Sequence, residues 1–170
     1  MSGDLAARLA GLRLIAFDID GVFTDGRFYL SDDGVETKAF STQDGYGVRR
    51  LLDAGVVVAV ISGRASAAVE RRMAELGVVH VHLACSDKVS AFSMLLDRLE
   101  IDAAHAAYVG DDVPDLALLR AAGIAIGVAN AHADIRAACD WITAAPGGRG
   151  AVREICDAIL AARASRASGR

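Results

Sequence analysis

Five short apolar runs, at 14–17, 56–61, 78–83, 106–109 and 124–128, recur along the 170-residue chain, each followed by glycine or polar residues and then by an amphipathic stretch. Runs this short suit strands covered on both faces better than helices. The stretches between them, at 4–12, 47–54, 67–76, 87–99, 116–122, 133–138 and 152–162, carry helical spacing, and Gly55, Gly77 and Gly123 supply stops at several of their ends. Strands alternating with helices in this way imply a parallel sheet with helices on both faces, an α/β fold of three layers. The length fits one domain over 1–170.

One segment breaks the alternation. Phe28-Tyr29-Leu30, the turn-rich Ser31-Asp32-Asp33-Gly34 and then 35–40 read as a β-hairpin, with Asp33-Gly34 expected to supply the positive φ angles of its turn. A hairpin inserted at about 22–40, straight after the first strand, projects from a parallel sheet, and its apolar positions need a partner surface. The tail at 165–170 is small, polar and basic, and is expected to fray.

Composition narrows the function classes. The net charge of −4 gives no global attraction to nucleic acid or to an anionic membrane surface, so any anionic ligand must be held locally. The strongly apolar run at 56–61 is far too short to cross a bilayer, and Met1-Ser2-Gly3-Asp4 lacks the features of a secretory leader, which points to the cytoplasm. Cys85, Cys139 and Cys156 show no CxxC spacing and are read as reduced, largely buried side chains. His80, His82, His105 and His132 fit no metal-ligand spacing and are read as structural or surface residues.

In an open parallel sheet, ligands bind beyond the carboxyl ends of the strands. Here those ends bring Asp18 and Asp20 after the first strand, Ser62 and Arg64 after the second, and Asp111, Asp112 and Asp115 after the fourth, with Lys88 at a helix start. Several carboxylates at one mouth ask for a hard cation, and Mg²⁺ suits them because it takes oxygen ligands and keeps water positions open. Asp18, Asp111 and the backbone carbonyl of Asp20 are the expected ligands, with Asp115 and Asp112 behind them. Asp115 reads equally well as an acid favoured at a helix start. Lys88 and Ser62 complete a phosphate cradle, although a lone lysine at a helix start is more often a solvated surface residue.

Asp18-Ile19-Asp20-Gly21-Val22-Phe23-Thr24-Asp25-Gly26, Ile61-Ser62-Gly63-Arg64, Lys88 and Gly110-Asp111-Asp112-Val113-Pro114-Asp115 resemble, in order, the four motifs of the haloacid dehalogenase superfamily. That resemblance implies a Rossmann-like core and a covalent mechanism in which Asp18 is the nucleophile, Asp20 the acid/base, and Mg²⁺, Lys88 and Ser62 neutralise the transferring group. Further similarity in the segments 38–49 and 147–154 points within the superfamily to the 3-deoxy-D-manno-octulosonate (KDO) 8-phosphate phosphatases. This implies a phosphatase of lipopolysaccharide precursor synthesis with no large cap domain. It also implies a homotetramer in which projecting hairpins pack together and each site is completed by a neighbour. By position, Ser41, Thr42, Gln43, Asp44 and Gly45 would line the sugar pocket, Arg49, Arg64 and Arg72 would meet the sugar acid's carboxylate or phosphate, and Arg149 would enter a site in the same or an adjacent subunit. Ser41 stands where relatives often carry Asn.

Three rival readings remain. A phosphatase of nine-carbon sugar acid 9-phosphates (2-keto-3-deoxynononate or N-acylneuraminate) is disfavoured by Arg64, where those relatives tend to have Glu, and by Arg149. A non-catalytic assembly module is disfavoured by the intact Asp18, Asp20, Ser62, Lys88 and Asp111. A signalling receiver domain carries its phosphorylated Asp after the third strand, whereas the carboxylate pair here follows the first.

Overall fold

A computed structural model describes residues 3–169. The elements follow the order α1 (Gly3–Ala10), β1 (Leu14–Phe17), β2 (Tyr29–Leu30), β3 (Glu36–Thr37), α2 (Thr42–Asp53), β4 (Val57–Ile61), α3 (Ala67–Leu76), β5 (His80–His82), α4 (Lys88–Leu99), β6 (Ala106–Gly110), α5 (Leu116–Ala121), β7 (Ile124–Gly127), α6 (Ala133–Ala138), β8 (Trp141–Ile142) and α7 (Ala151–Ser168). Six strands form one sheet in the order β5-β4-β1-β6-β7-β8, every pairing parallel. The helices pack in two runs, α1-α7-α2 with α3 beside α2, and α4-α5-α6, giving the three-layer α/β architecture expected from the alternation of runs.

The strand sequences explain the depth of the sheet. β1 is Leu-Ile-Ala-Phe, all buried, and β6 is buried along its length, so neither needs a polar face. Their side chains join those of α2, α5 and α7 in one continuous core. The chain runs from β1 outward through β4 and β5, then returns to β6 on the other side of β1. The carboxyl ends of β1, β4 and β6 therefore lie side by side where the winding reverses, the position at which such sheets bind ligands.

The hairpin β2–β3 forms a separate two-stranded sheet projecting from the loop after β1, and no larger inserted unit occurs among the described residues. Its turn differs from expectation. Only Gly34 has a positive φ, +82°, and Asp33 does not. The Gly34 N–H donates to Ser31 O and the Ser31 N–H to Val35 O, so three residues close the turn and a single left-handed position suffices.

Two helices also exceed expectation. α2 starts at Thr42 rather than 47, because Ser41 caps it by accepting a hydrogen bond from the Asp44 N–H, and Gly45 and Gly47 are tolerated inside it because α3 and α7 press against them. α7 continues to Ser168, so the expected frayed tail is helical over 165–168; Arg170, like Met1 and Ser2, lies outside the described residues. Among the described residues no helix is long and apolar enough to cross a membrane.

Candidate active site

Asp18 directly follows β1, with its N–H donating to Val109 O of β6 at 2.9 Å, so the parallel ladder fixes its backbone. Asp111 follows β6 on the neighbouring strand, Ser62 follows β4 on the other side, and Lys88 opens α4 under the cap provided by Asp87. These residues, with Asp20, Arg64, Asp112 and Asp115, border a polar cavity of about 310 Å³. A larger groove of about 570 Å³ between α1 and α7 is walled mainly by alanines and contains none of the strand-end residues, so the chemistry belongs to the smaller cavity.

Carboxylate oxygens of Asp18, Asp111 and Asp115 lie within 4.8 Å of one another. Asp115 is fully committed to protein donors. Its Oδ1 accepts from Lys88 Nζ and from the Tyr108 hydroxyl, each at 2.7 Å, while Oδ2 accepts from the Asp111 N–H at 3.1 Å. It therefore orients the lysine and the Asp111 loop. Asp18 differs, because its buried Oδ1 has no hydrogen-bond partner beyond the ion pair with Lys88, whose Nζ lies 3.1 Å away.

Crowding raises both carboxyls that face the opening. Burial, reinforced by Asp115 and opposed by Lys88, lifts Asp18 to about 6. Burial and then the charges of Asp18, Asp115 and Asp112 lift Asp111 to about 7. Burial alone would lower Lys88, yet the carboxylates of Asp18 and Asp115 outweigh it and hold the ammonium above its ordinary value. A buried Asp18 oxygen whose one close partner is the Lys88 ammonium, beside a second carboxylate disfavoured as an anion, with carboxylate oxygens as the ligand atoms, fits a small hard divalent cation on Asp18 and Asp111. Close packing supports the same corner, since a Cβ at Gly21, where φ is +90°, would overlap the Asp111 carboxylate.

Asp20 also borders the cavity and is held by Lys38 from the hairpin and Arg64 from the loop after β4. Lys38 Nζ contacts its Oδ1 directly, and Arg64 Nε lies 3.6 Å from its Oδ2. Arg64 also donates to Glu36 at 2.7 Å and stacks on the Phe28 ring at 4.3 Å. Ser62 is buried at the end of β4, with its carbonyl accepting from the Cys85 N–H. Asp112 is exposed and caps the short turn at Val113–Asp115.

Other expected residues lie elsewhere in the chain. Asp44 is fully buried with its carboxylate turned toward α7, where it accepts from the N–H groups of Arg153 at 2.8 Å and Gly150 at 3.4 Å. It caps that helix and does not border the Asp18 cavity of the same chain, because the unpaired N–H groups at a buried helix start attract a carboxylate. Ser41, Thr42, Gln43 and Gly45 belong to the first turn of α2 and do not border the Asp18 cavity of the same chain. Arg49 donates to Glu75 O, and Arg72 pairs with the Glu75 carboxylate at 3.3 Å, so both cover the α2–α3 surface. Arg149 is exposed beside Asp25, Arg27 and Asn130 in a separate recess of about 220 Å³. Its Gly-rich loop packs on the first-motif loop so closely that a Cβ at Gly147 would overlap Gly21 O.

Two contributors escape sequence reasoning. Tyr108 is buried in β6 and joins Asp115 to Lys88; the only signal was a hydroxyl inside an otherwise apolar strand. Lys38 follows the hairpin strand β3 and carries no motif of its own in the sequence, yet its side chain has 0% exposure.

A parallel sheet that delivers a carboxylate pair from its central strand, a hydroxyl and an acid cluster from the flanking strands, and a buried lysine from the next helix defines a phosphoryl-transfer hydrolase of the haloacid dehalogenase type. A family model for haloacid dehalogenase-like hydrolases matches residues 84–155. The KDO 8-phosphate phosphatase KdsC of Escherichia coli K12 is 43% identical over 163 residues, covering 96% of this chain and 87% of that protein. A crystal structure of the corresponding phosphatase from Moraxella catarrhalis, in complex with magnesium, phosphate and KDO, superposes with a TM-score of 0.93 at 41% identity, with both chains fully covered. The cobalt-bound enzyme of Haemophilus influenzae gives 0.89 at 37% identity, over 92% of each chain. The chain belongs to the KDO 8-phosphate phosphatase family of haloacid dehalogenase-like hydrolases.

Proposed function

We propose that this protein is a Mg²⁺-dependent phosphatase that hydrolyses KDO 8-phosphate to KDO and inorganic phosphate, a step of lipopolysaccharide precursor synthesis. The observation that carries the reading is Asp18, with a buried oxygen that has no hydrogen-bond partner, set between Lys88 and Asp111 and two residues before Asp20. Asp18 and Asp111, with the Asp20 carbonyl, would hold Mg²⁺, which would supply charge neutralisation for the phosphoryl oxygens.

The chain's own groups account for the remaining steps. An Asp18 carboxylate oxygen attacks phosphorus, the bond from phosphorus to the sugar oxygen breaks, and Asp20 gives its proton to the departing alkoxide. Asp20, now a carboxylate, takes a proton from water as that water attacks the aspartyl-phosphate; the bond from phosphorus to Asp18 breaks and phosphate leaves. Lys88, fixed by Asp115 and Tyr108, and the Ser62 hydroxyl hold the phosphoryl oxygens. Asp112 and Asp115 hold the loop that carries Asp111.

The same reading includes a homotetramer assembled through the hairpins, whose Tyr29 and Leu30 are 67% and 65% exposed. A neighbouring chain then brings the remaining wall of the sugar pocket, a task to which Arg149 and the outward first turn of α2 are suited. Three free cysteines accord with work in the cytoplasm. Phosphate release from a panel of sugar phosphates tests the assignment. Fastest turnover is expected with the eight-carbon acid and only with Mg²⁺ present. Equal or faster turnover of nine-carbon acid 9-phosphates would overturn the substrate, and absence of Mg²⁺-dependent release from every phosphomonoester would overturn the enzyme.

A further inference from the structure

Lys38 is a fully buried ammonium in a hairpin that otherwise faces solvent. A charge taken out of water costs heavily unless it is paired, and an apolar side chain could fill the same space without that cost. Its pairing is specific. Nζ touches Asp20 Oδ1, lies 3.5 Å from Glu36 Oε1, and stands 5.6 Å from the centre of the Phe28 ring. Arg64 approaches the other Asp20 oxygen at 3.6 Å and is tied back to Glu36. Asp20 is thus gripped by two cations from different elements, which Glu36 joins to each other. The grips are unequal, because Arg64 is 49% exposed and the longer of the two.

We propose that Lys38 is a positioning residue for proton transfer to the leaving group. It fixes the Asp20 carboxyl at the cavity by holding Oδ1, which leaves Oδ2, where Arg64 comes no closer than 3.6 Å, to carry the proton for the sugar oxygen without searching among rotamers. Lys38 acts through Asp20 and does not touch the phosphoryl group. The inference rests on the phosphatase reading above, and it assigns to the base of the hairpin a duty within the same subunit, independent of any neighbour.

A leaving group that needs no proton separates this role from simple support. The first-turnover rate of phosphoryl transfer to Asp18 is measured by rapid quench with KDO 8-phosphate and with p-nitrophenyl phosphate, whose phenolate departs unaided. K38M is expected to slow the sugar phosphate about 100-fold and p-nitrophenyl phosphate less than about fivefold, since a misplaced general acid matters only where a proton must be delivered. K38Q, which keeps the length and polarity, serves the same comparison if K38M does not fold, as judged by thermal unfolding. Adding K38M to D20N should cost no more than about twofold beyond D20N alone, because two residues acting through one step do not add. E36Q weakens the hairpin's anchorage but leaves the ammonium in place, and should keep the ratio of the two substrates within about threefold of the parent. Equal losses on both substrates, full additivity with D20N, or an E36Q ratio change as large as that of K38M would each overturn the proposal. An unaltered protein that released phosphate from neither substrate would instead overturn the phosphatase reading.

Discussion

The floor of the Asp18 cavity and its rim are held by different forces. On the floor, Asp18 and Asp111 leave the ends of β1 and β6, whose register pairs Phe17 with Val109, and Asp115 spends all its oxygens on Lys88, Tyr108 and backbone N–H groups. The rim is a hairpin of two-residue strands, both largely exposed, joined to the first loop by the charges of Asp20, Glu36, Lys38 and Arg64. A backbone ladder inside a core sets atom positions whether or not a ligand is present. Charge pairs at an opening can exchange a protein carboxylate for one on a substrate. The nucleophile and the metal-facing acids thus lie where the fold is stiffest, while the acid/base Asp20 depends on charge pairs at the rim.

The most severe test of the floor is Asp18→Asn. It should abolish turnover, on the order of a 10⁴-fold loss or more, as expected when a nucleophile is removed, while circular dichroism shows an unchanged fold. Retained turnover would remove Asp18 from the reaction.

The rim is broken next by Leu30→Asp. Leu30 is exposed within the chain, so stability should change by less than about 0.5 kcal/mol, whereas the mass in solution, read by light scattering, should fall from that of the proposed tetramer to smaller species. A tetramer that survives would take the hairpins out of the assembly.

Titration sharpens the electrostatic side of the comparison. With Asp18 raised to about 6 and Asp111 to about 7, the metal-free folded chain holds more protons than the unfolded chain from about pH 4 to 7. The stability these groups contribute is present at low pH and is lost as pH rises through that window. The unfolding midpoint of metal-free protein should therefore drop by roughly 5 °C between pH 5 and pH 8, in keeping with a change of about 2 kcal/mol. Mg²⁺ prefers the deprotonated pair and should raise the midpoint more at pH 8 than at pH 5. A midpoint that climbs with pH, or a Mg²⁺ effect independent of pH, would contradict the arrangement.

The smallest effect is expected from Tyr108→Phe. Removing the hydroxyl leaves Asp115 one donor short in a buried site, with a cost of about 1 to 2 kcal/mol by chemical denaturation and a modest fall in kcat. An unchanged stability would show that the Tyr108 bond contributes nothing to the floor.

The floor was almost wholly legible beforehand and the rim only in part. Asp18, Ser62, Lys88 and Asp111 follow short apolar runs or open a helix, and a parallel sheet collects such positions at one edge by its geometry. β1, α3 and α6 have the expected limits because apolar spacing, Gly77 and the polar flanks mark both ends. The start of α2 was hidden, because Gly45 and Gly47 weaken the helical signal in the sequence, and only packing against Arg72 and Arg153 makes them acceptable. The cap that Asp44 places on α7 was hidden too, since its partners lie more than a hundred positions away at the start of that helix. Arg49 and Arg72 point the same way: their partner Glu75 lies on α3, and local sequence does not report which face of two packed helices opens to the cavity.

By itself the sequence determined the order of strands and helices, the edge of the sheet at which function must lie and the acids expected there, because alternation, short apolar runs and the residues that end them are local properties. Tertiary structure alone decided how those acids are paired. It buries Lys38 against Asp20, gives Asp115 to Tyr108 and Lys88, leaves Asp18 with an unsatisfied oxygen and turns Asp44 away to cap a distant helix. Pairing depends on burial and on approach through space, and both are set only when segments remote in the chain pack together.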